Sequence, residues 1–584
     1  MKKRYEFVVI GGGISGLVAA ISASKLGVKT CLIQDRPVLG GNASSEIRMH
    51  ICGANRHGFI ENARETGVIE DLLLTNRYFN EQQSFSVQDT IFLNMAKEAN
   101  VDVYLNTRVI DVKCNGLKIL SIKAIQTTTE KEFEFSGKMF MDATGDGFVG
   151  YKAGALYTYG REAKETYNEP HALDVADNKT MGNSIMFTTK NVGHPIAFKK
   201  PSWAYSYSEE DLKDRDHAHI DSGYWWLEVS GNYNTIDDSE EIRDELLKVL
   251  YGVWDHIKNG GNHHADNYAL DWIGSIPGKR ESRRFYGDYV LNENDLFNGV
   301  SFYDRVAYGG WKMDVHNVDG IYSTSQTPNI YVEAKPFYSI PYRSLYSKNI
   351  SNLFLGGRLV SASHLAFSST RVMGTCASMA EAAGTAAYIV KKYSLDENRE
   401  VLKYIEELQQ LLIKNDAYIP EIVNKDKYDL AKIARVSATS YKEGFLPENV
   451  LNGTSRTTEN NINKYMSNGI SSDGESLIFE FDNSIAASEA LITFDSNLSD
   501  ELTITISEEV RVRQKVFPTN LVKDYSLTLL ANNKVVKTIE VNDNILRHNV
   551  INFEKTNFNK MVLNCKSTHG APDISIYEVR LYNK

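Results

Sequence analysis

The chain has 584 residues, 42% of them hydrophobic and 24% charged, with a formal net charge of −11. That length exceeds what one hydrophobic core serves, so about two to four domains are expected. The negative balance, with Lys and Arg scattered rather than striped, argues against nucleic acid as a partner, and no apolar run is long enough to span a bilayer.

Met1-Lys2-Lys3-Arg4 and the short apolar run Phe7-Val8-Val9-Ile10 open the chain. They lack the apolar core and cleavage site of a secretory leader, so a cytoplasmic protein is expected. Gly11, Gly13 and Gly16 follow in the spacing G-x-G-x-x-G, and residues 14–26, beginning Ile14-Ser15, read as a helix stopped by Gly27. In such a strand, turn and helix, Gly11 makes the turn, Gly13 lets the backbone approach a pyrophosphate, and Gly16 lets helix and strand pack closely. The N–H groups and dipole at the helix start then hold the phosphates, and a dinucleotide site is expected. A second strand over 28–33 runs into Gln34-Asp35-Arg36, where an acid should bind the ribose. Asp35 displaced by one position and Gln34 as a neutral partner are both open.

Next comes Leu39-Gly40-Gly41-Asn42-Ala43-Ser44-Ser45-Glu46-Ile47-Arg48-Met49-His50. A Gly pair followed by small polar residues suggests a backbone lying against a flat ligand; the alternative is a surface loop. Residues 88–98 have helical spacing, 101–105 form a strand continuing through Thr107-Arg108-Val109-Ile110, and 117–128 with 131–135 read as a hairpin or meander near Asn115-Gly116. Met141-Asp142-Ala143-Thr144-Gly145-Asp146-Gly147 is a second motif, an apolar strand entering a Gly-rich turn. Asp142 reads equally as a cofactor residue and as a fastener of the turn.

Residues from about 155 to 340 show no clean βα alternation and are rich in aromatics, among them Trp203, Trp225, Trp226, Trp254, Trp272 and Trp311. This suggests an inserted substrate domain, and aromatic faces suit a sugar-like or heterocyclic ligand. Residues 223–228 alternate like a strand. His263-His264 beside Asp266 hints at metal, but adjacent histidines in a Gly-Asn loop are usually solvated and no metal is expected. Lys279-Arg280-Glu281-Ser282-Arg283-Arg284 is a dense basic cluster that either binds an anion or ties domains together through ion pairs. The third motif is the strand Leu353-Phe354-Leu355 ending in Gly356-Gly357-Arg358; His364 and Arg371-Val372-Met373 then lead into an Ala-rich helix over 375–388. Residues 395–413 form a further helix, with Val401, Ile405, Leu408 and Leu412 at helical spacing.

From about 431 short alternating strands appear at 433–438, 477–481, 490–495, 502–506, 526–530, 535–541, 550–553, 561–565 and 574–582, with turns at Asp473-Gly474 and Asn532-Asn533. This is a β-sandwich pattern. The five cysteines, Cys31, Cys52, Cys114, Cys376 and Cys565, are far apart with no C-x-x-C, which disfavours zinc, iron–sulfur clusters and a dithiol pair.

The glycine loop, the L-G-G-N-A-S-S-E-I-R-M segment, the D-A-T-G-D-G turn and Gly356-Gly357-Arg358 together resemble the FAD-dependent oxidoreductases of the glutathione-reductase-like superfamily, over about residues 1–390. The resemblance implies an α/β fold, with a discontinuous FAD-binding Rossmann domain (1–154 and 340–415) and an inserted α+β substrate domain (155–339); a linker (416–430) and the C-terminal all-β sandwich (431–584) are expected to follow. It implies FAD on Gly11, Gly13, Ile14, Ser15 and Gly16 at the pyrophosphate, with Gln34, Asp35 and Arg36 toward the ribose. Gly40, Gly41, Asn42, Ser44 and Ser45 would follow the ribityl chain and flavin, and the backbone of Val109 the adenine. Ala143, Gly145 and Asp146 would lie beside the cofactor, Asp146 at a ribityl hydroxyl. Gly357 and Arg358 would lie by the ribityl and phosphate, and Arg371, Val372 and Met373 at the flavin pyrimidine, where a helix dipole stabilises the reduced ring.

Arg48 and His50 would point to flavin or substrate, Arg48 being equally readable as a structural ion-pair partner. His364 is the first candidate for general acid/base, against the alternative of a structural histidine, and Arg371 is a candidate to orient substrate. At the C-terminus Val436-Ser437-Ala438-Thr439-Ser440, the stretch 447–453 and the closing 576–582 resemble a discoidin-type, galactose-binding-like module. Where such modules often show Trp-x-Ser, this chain has Tyr465-Met466-Ser467, so glycan binding and a structural or oligomerisation role both stay open.

The expected function is an FAD-dependent oxidoreductase that exchanges a hydride between flavin N5 and a small polar, sugar-like or polyhydroxylated substrate. Two alternatives stand beside it: a flavin-dependent reductase of an activated C=C bond in a carboxylated substrate, anchored by residues 280–284, and a non-catalytic glycan-binding flavoprotein. The expected partner is a small molecule, with carbohydrate as the candidate, and neither nucleic acid nor membrane; a homodimer is one candidate assembly. No second G-x-G-x-x-G announces a nicotinamide site, which favours oxidation of substrate with transfer to another acceptor.

Overall fold

Five short apolar strands form one parallel sheet, in spatial order Leu353–Leu355, Met139–Asp142, Phe7–Ile10, Thr30–Ile33 and Asp102–Tyr104. The first four are buried along their whole length, as strands covered on both faces must be. The helix Ile14–Lys25 leads from the first strand in sequence to the second, and it packs on the Ala-rich helix Met373–Lys392. Their approach is close: a Cβ on Gly384 would lie 2.5 Å from the Ala19 carbonyl oxygen. Ile10 is level with Ile33 and with Asp142, and Asp142 with Leu355. Gly11, Gln34, Ala143 and Gly356 therefore leave the sheet along one edge. It is the carboxyl edge, on both sides of the strand where chain order reverses, which is where open α/β sheets hold ligands.

The computed structural model describes residues 1–584 apart from 230, 232, 324, 460 and 515. Contacts divide the chain into two units. The first comprises Met1–Arg56, Gln82–Ile405 and Thr503–Arg513; the second comprises His57–Glu81, Glu406–Leu502 and Gln514–Lys584. Among the described residues no helix is long and apolar enough to cross a membrane.

In the first unit, Lys2–Arg4, Lys131–Ser136, Lys118–Gln126 and Thr107–Asn115 form a second sheet containing the expected meander. The region read as an insertion holds small sheets, including Asn183–Ser184 between Glu228–Val229 and Gly278–Lys279, and Phe187–Asn191 with Tyr268–Ile273. It also holds a long helix, Ser239–Asn259, that the sequence reading passed over. Its buried face was legible: Ile242, Leu246, Val249, Leu250, Val253, Trp254 and Ile257 recur at helical spacing. The strand expected over 223–228 shrinks to Glu228–Val229, because the backbone turns where the Leu227 N–H donates to the Tyr224 carbonyl at 3.1 Å. The helix expected over 395–413 is a 3₁₀ stretch, Asn398–Tyr404, followed by an α-helix, Ile405–Lys414.

The second unit is built on an antiparallel sheet, in order Tyr465–Met466, Ser575–Tyr582, Glu475–Phe494, His548–Thr568, Val522–Ala531 and Lys534–Val541, with Arg435–Ala438 also pairing Glu475–Phe494. Two pairs of expected strands fuse here, 477–481 with 490–495 and 550–553 with 561–565. Each long strand runs through a register shift, between Glu480 and Ile485 on one of them, where the sheet bends and changes neighbours. Leu477 and Phe479 before the bend share one core with Ile492 and Phe494 after it.

Four boundaries differ from the sequence expectation, the first at 406–415, expected with the Rossmann domain but part of the second unit. Residues 57–81, expected with the Rossmann domain, belong to the second unit, where buried Arg64 grips the Glu70 carboxylate at 2.8 and 2.7 Å and donates to the carbonyls of Ser496, Asn497 and Asp500. Residues 416–430, expected as a linker, are built structure: Asp416 pairs with fully buried Arg547 at 2.7 Å, and Asp429 accepts from the Leu581 N–H. Residues 503–513, expected in the sandwich with a strand at 502–506, belong to the first unit, where Ile504 and Ile506 are buried with Phe85 and Met186.

Candidate active site

The glycine loop is dictated by its own packing at two of three positions. Gly11 has φ +101°, and a Cβ there would lie 2.1 Å from the Ala143 carbonyl oxygen; on Gly16 it would lie 1.8 Å from the Gly11 oxygen. Gly13 is different. The nearest heavy atom to a Cβ there is the Gly41 Cα, 3.9 Å away. The protein leaves space beside Gly13, and no side chain caps the helix start that follows. An open glycine face and uncapped N–H groups at Ile14 and Ser15 fit the pyrophosphate of FAD. The other motifs meet here: Gly40 pairs with Gly13, and a Cβ on Gly357 would lie 2.9 Å from Ser15 Oγ.

Around this cradle many predicted residues hold one another. Gln34 is buried; its Oε1 accepts the Gly12 N–H at 2.8 Å and its Nε2 donates to the Val38 carbonyl at 3.1 Å. It fastens the loop, while Asp35 is exposed and Arg36 lies 3.4 Å from Glu46. Ser44 Oγ donates to the Gly41 carbonyl, the Ser45 N–H to Asp89, and the Asn42 amide to the Lys279 carbonyl. Val109 lies opposite Ala124 in the second sheet. Asp142 accepts from the Thr144 N–H and hydroxyl and from the Gly150 N–H, at 3.0, 2.7 and 2.8 Å. That is the turn-fastening role. Asp146, at the turn that includes Gly145, faces Lys279 at 2.7 Å and Arg358 at 3.2 Å. Burial alone would raise its carboxyl, but these two cations outweigh it and hold the pKa below the ordinary carboxylate value.

Residues 279–284 lie across this turn and lead from it to His364. Ser282 Oγ donates to the Gly145 carbonyl at 2.8 Å and Arg283 to the Asp146 carbonyl at 2.9 Å. Glu281 and Arg284, both fully buried, form an ion pair, and Arg284 also meets Glu162 at 2.6 Å. His364 begins the short helix His364–Thr370 and is buried. Its backbone N–H donates to Glu162 at 2.9 Å, and its Nδ1 lies 3.0 Å from the Glu281 carboxylate. Its Nε2 is buried with no protein partner. Burial would raise the Glu281 carboxyl; His364 and Arg284 outweigh it and hold the pKa low.

Arg371, at the far end of the same helix, meets Asp314 at 3.2 Å and leaves its Nε buried without a partner. Asp314 continues to His316 at 3.1 Å, His316 to Glu228 at 2.7 Å, and Glu228 to Arg280 at 3.5 Å. Arg48 and His50 have partners of their own. Arg48, at φ +62°, stacks its guanidinium 4.0 Å over the Trp272 ring and lines a pocket of about 360 Å³ with Phe85, Thr505, Ile506 and Arg511. His50 Nδ1 lies 3.4 Å from Thr505 Oγ1. The Gly374 N–H donates to the Cys52 carbonyl at 2.8 Å, which joins this stretch to the helix that starts at Met373, after its N-cap Val372.

Sequence reasoning passed over Glu281, Glu228, Asp314 and His316 as site residues. Glu281 carried a signal, since a lone acid inside a run of cations marks an internal counter-charge. The other three are distant in sequence and ordinary in context.

A family model described as FAD dependent oxidoreductase matches residues 6–412. No curated protein matches the sequence. Among solved structures, the chain is similar to a geranylgeranyl bacteriochlorophyll reductase-like protein from Thermoplasma acidophilum, at 14% identity and TM-score 0.33 over 71% of this chain and 86% of that one. It is also similar to a family 32 CBM from C. perfringens in complex with galactose, at 15% identity and TM-score 0.19 over 26% of this chain and 94% of that one. A third likeness is the lectin domain of Lectinolysin complexed with Lewis B antigen, at 10% identity and TM-score 0.21 over 27% and 99%.

Proposed function

This chain belongs to the family of FAD dependent oxidoreductases, and from that premise we propose that it exchanges a hydride between a small, polyhydroxylated substrate and flavin N5, with His364 moving the proton. His364 carries the reading: its Nδ1 faces Glu281 while its Nε2 is buried and unpartnered. Buried polar atoms normally find partners, so an unpartnered imidazole nitrogen supports a reacting group docking there.

FAD, when bound, supplies the hydride acceptor or donor. Gly13, Ile14 and Ser15 would hold its pyrophosphate. Glu281 would orient the His364 ring and stabilise the imidazolium formed when Nε2 takes a proton. The unpartnered Nε of Arg371, Oγ1 of Thr370 and amide of Asn183 are the candidates to bond a hydroxylated substrate. The alternative of a carboxylated substrate needed the basic cluster as its anchor. Lys279, Arg280 and Arg284 are paired with Asp146, Glu228 and Glu281, which supports an internal tie, while Arg283 donates to the Asp146 carbonyl.

The test is anaerobic. The purified protein should lose its visible flavin band on addition of a polyol or glycoside. His364→Gln should keep the FAD and bleach about 10²–10⁴-fold more slowly with that substrate. A flavin indifferent to every hydroxylated compound, yet reoxidised after reduction by an unsaturated acid, would overturn the proposal in favour of the reductase.

A further inference from the structure

Three histidines and a glutamate converge in the inserted region, away from the glycine cradle in sequence. Glu209 opens the short helix Glu209–Leu212, His217 follows it, His256 lies in the last turn of the helix Ser239–Asn259, and His263 sits in the loop beyond. One ligand atom from each of the four lies within 4.8 Å of the others. His256 Nε2 is 3.2 Å from His263 Nε2 and 3.1 Å from Glu209 Oε2. His217 Nε2 is 3.5 Å from Glu209 Oε1, and His263 Nε2 is 3.7 Å from Glu209 Oε2. Ligand atoms about 2.0–2.1 Å from one tetrahedral zinc ion lie about 3.3 Å apart. The spacings of 3.1–3.7 Å bracket that edge, with His217 at the Oε1 atom of Glu209 and His256 and His263 at Oε2.

The hydrogen bonds point the same way. His217 Nδ1 lies 2.6 Å from the Arg215 carbonyl, an acceptor, so this nitrogen carries the proton. In the neutral ring, Nε2 then presents a lone pair toward the carboxylate. His256 and His263 likewise aim the same ring nitrogen at each other and at Glu209. With neutral rings, protons cannot satisfy all of these contacts, because several lone pairs face one another. One central cation satisfies them all. A histidine that donates its far N–H to a backbone carbonyl is also the usual outer support of a metal ligand.

We propose that Glu209, His217, His256 and His263 form a site for a divalent transition-metal ion, of the class Zn²⁺ represents, that pins the C-terminal end of the helix Ser239–Asn259 to the 209–217 segment. Three imidazoles and a carboxylate suit such ions rather than Mg²⁺ or Ca²⁺. Four protein ligands make a closed site, which is the structural rather than the catalytic form. From sequence, adjacent histidines in a Gly-Asn loop suggest no metal; the ligands that join His263 here lie 46 and 54 residues earlier and on a helix.

The test uses full-length, untagged protein carrying its flavin, purified without chelator. Elemental analysis should find about one zinc per chain, and after chelation a Zn²⁺ titration followed by calorimetry should saturate at about one equivalent and raise the melting temperature. His263→Gln and Glu209→Gln should each weaken Zn²⁺ binding by about tenfold or more with the flavin spectrum unchanged. Glu209 has a side chain 71% exposed, so its variant reads the site even if His263→Gln folds poorly. Absence of saturable Zn²⁺ binding by the chelated wild type would overturn the proposal. So would binding as tight in Glu209→Gln as in the wild type.

Discussion

Glu281 holds three groups together: its carboxylate faces His364 and Arg284, and the Met181 N–H donates to it at 2.9 Å. As a positioning residue it should act on turnover more than on substrate affinity. Glu281→Gln should lower kcat by about 10²–10⁴-fold with KM little changed, as measured by steady-state rates on the substrate that bleaches the flavin. Its melting temperature should fall as well, because Arg284 keeps only Glu162 of its two carboxylate partners. Gly13 offers a second residue-scale test. Gly13→Ala meets nothing closer than 3.9 Å, so the flavin-free protein should melt normally. Its FAD affinity should fall about tenfold or more, since the added methyl fills the approach to the pyrophosphate. Gly16→Ala, with only 1.8 Å to the Gly11 oxygen, should destabilise even the flavin-free protein. Flavin titration and thermal melts separate the two cases.

At the scale of elements, the site depends on strands that end level and on two helices that pack almost backbone to backbone. The level ends bring the three glycine motifs to one edge. The helices Ile14–Lys25 and Met373–Lys392 touch through small residues, and Gly384 leaves no room for a Cβ against Ala19. Gly384→Ala should therefore cost about 1–3 kcal/mol through overpacking, read as a lower urea midpoint for flavin release. These helices were legible because Ala, Ser and Gly runs behind a glycine turn have one reading. The helix Ser239–Asn259 carries as clear an apolar stripe, but within a stretch whose many aromatics mask the period.

For the whole molecule, acid should be the weak side. Burial alone would raise Asp146, Glu228, Glu281 and Asp314, yet adjacent Arg, Lys or His groups hold each below the ordinary carboxylate value. For such a group the unfolded state binds more protons in the window between the two pKa values. Its contribution to stability is complete above the unfolded value, about 4, and is lost as pH falls below it. Asp89, Asp142 and Glu169, raised by burial, work in the opposite sense and are relieved by acid. The lowered carboxyls outnumber them among the described residues, so the melting temperature should drop steeply below about pH 4 while changing little between pH 6 and 8. Calorimetry across that range checks it. The unit boundaries give another expectation. A fragment starting at residue 431 would strip Asp416 from the buried Arg547 guanidinium, at a cost of about 3–5 kcal/mol. It should be poorly folded by circular dichroism.

What the sequence determined by itself was local. A glycine with no room for a Cβ, a strand that runs into it and a helix that starts behind it are fixed by sterics within a few residues, and Gly11 and Gly16 read true for that reason. Alternation likewise exposed most of the sandwich strands from 431 onward. The tertiary structure decided what depends on partners far along the chain. Arg64 needs the 496–500 carbonyls and His364 needs Glu281. The placement of 57–81 and 503–513 in units other than those of their neighbours, and the meeting of His217 with His256 and His263, leave no periodic trace, because side chains that satisfy one another across tens to hundreds of residues impose no pattern on the residues between.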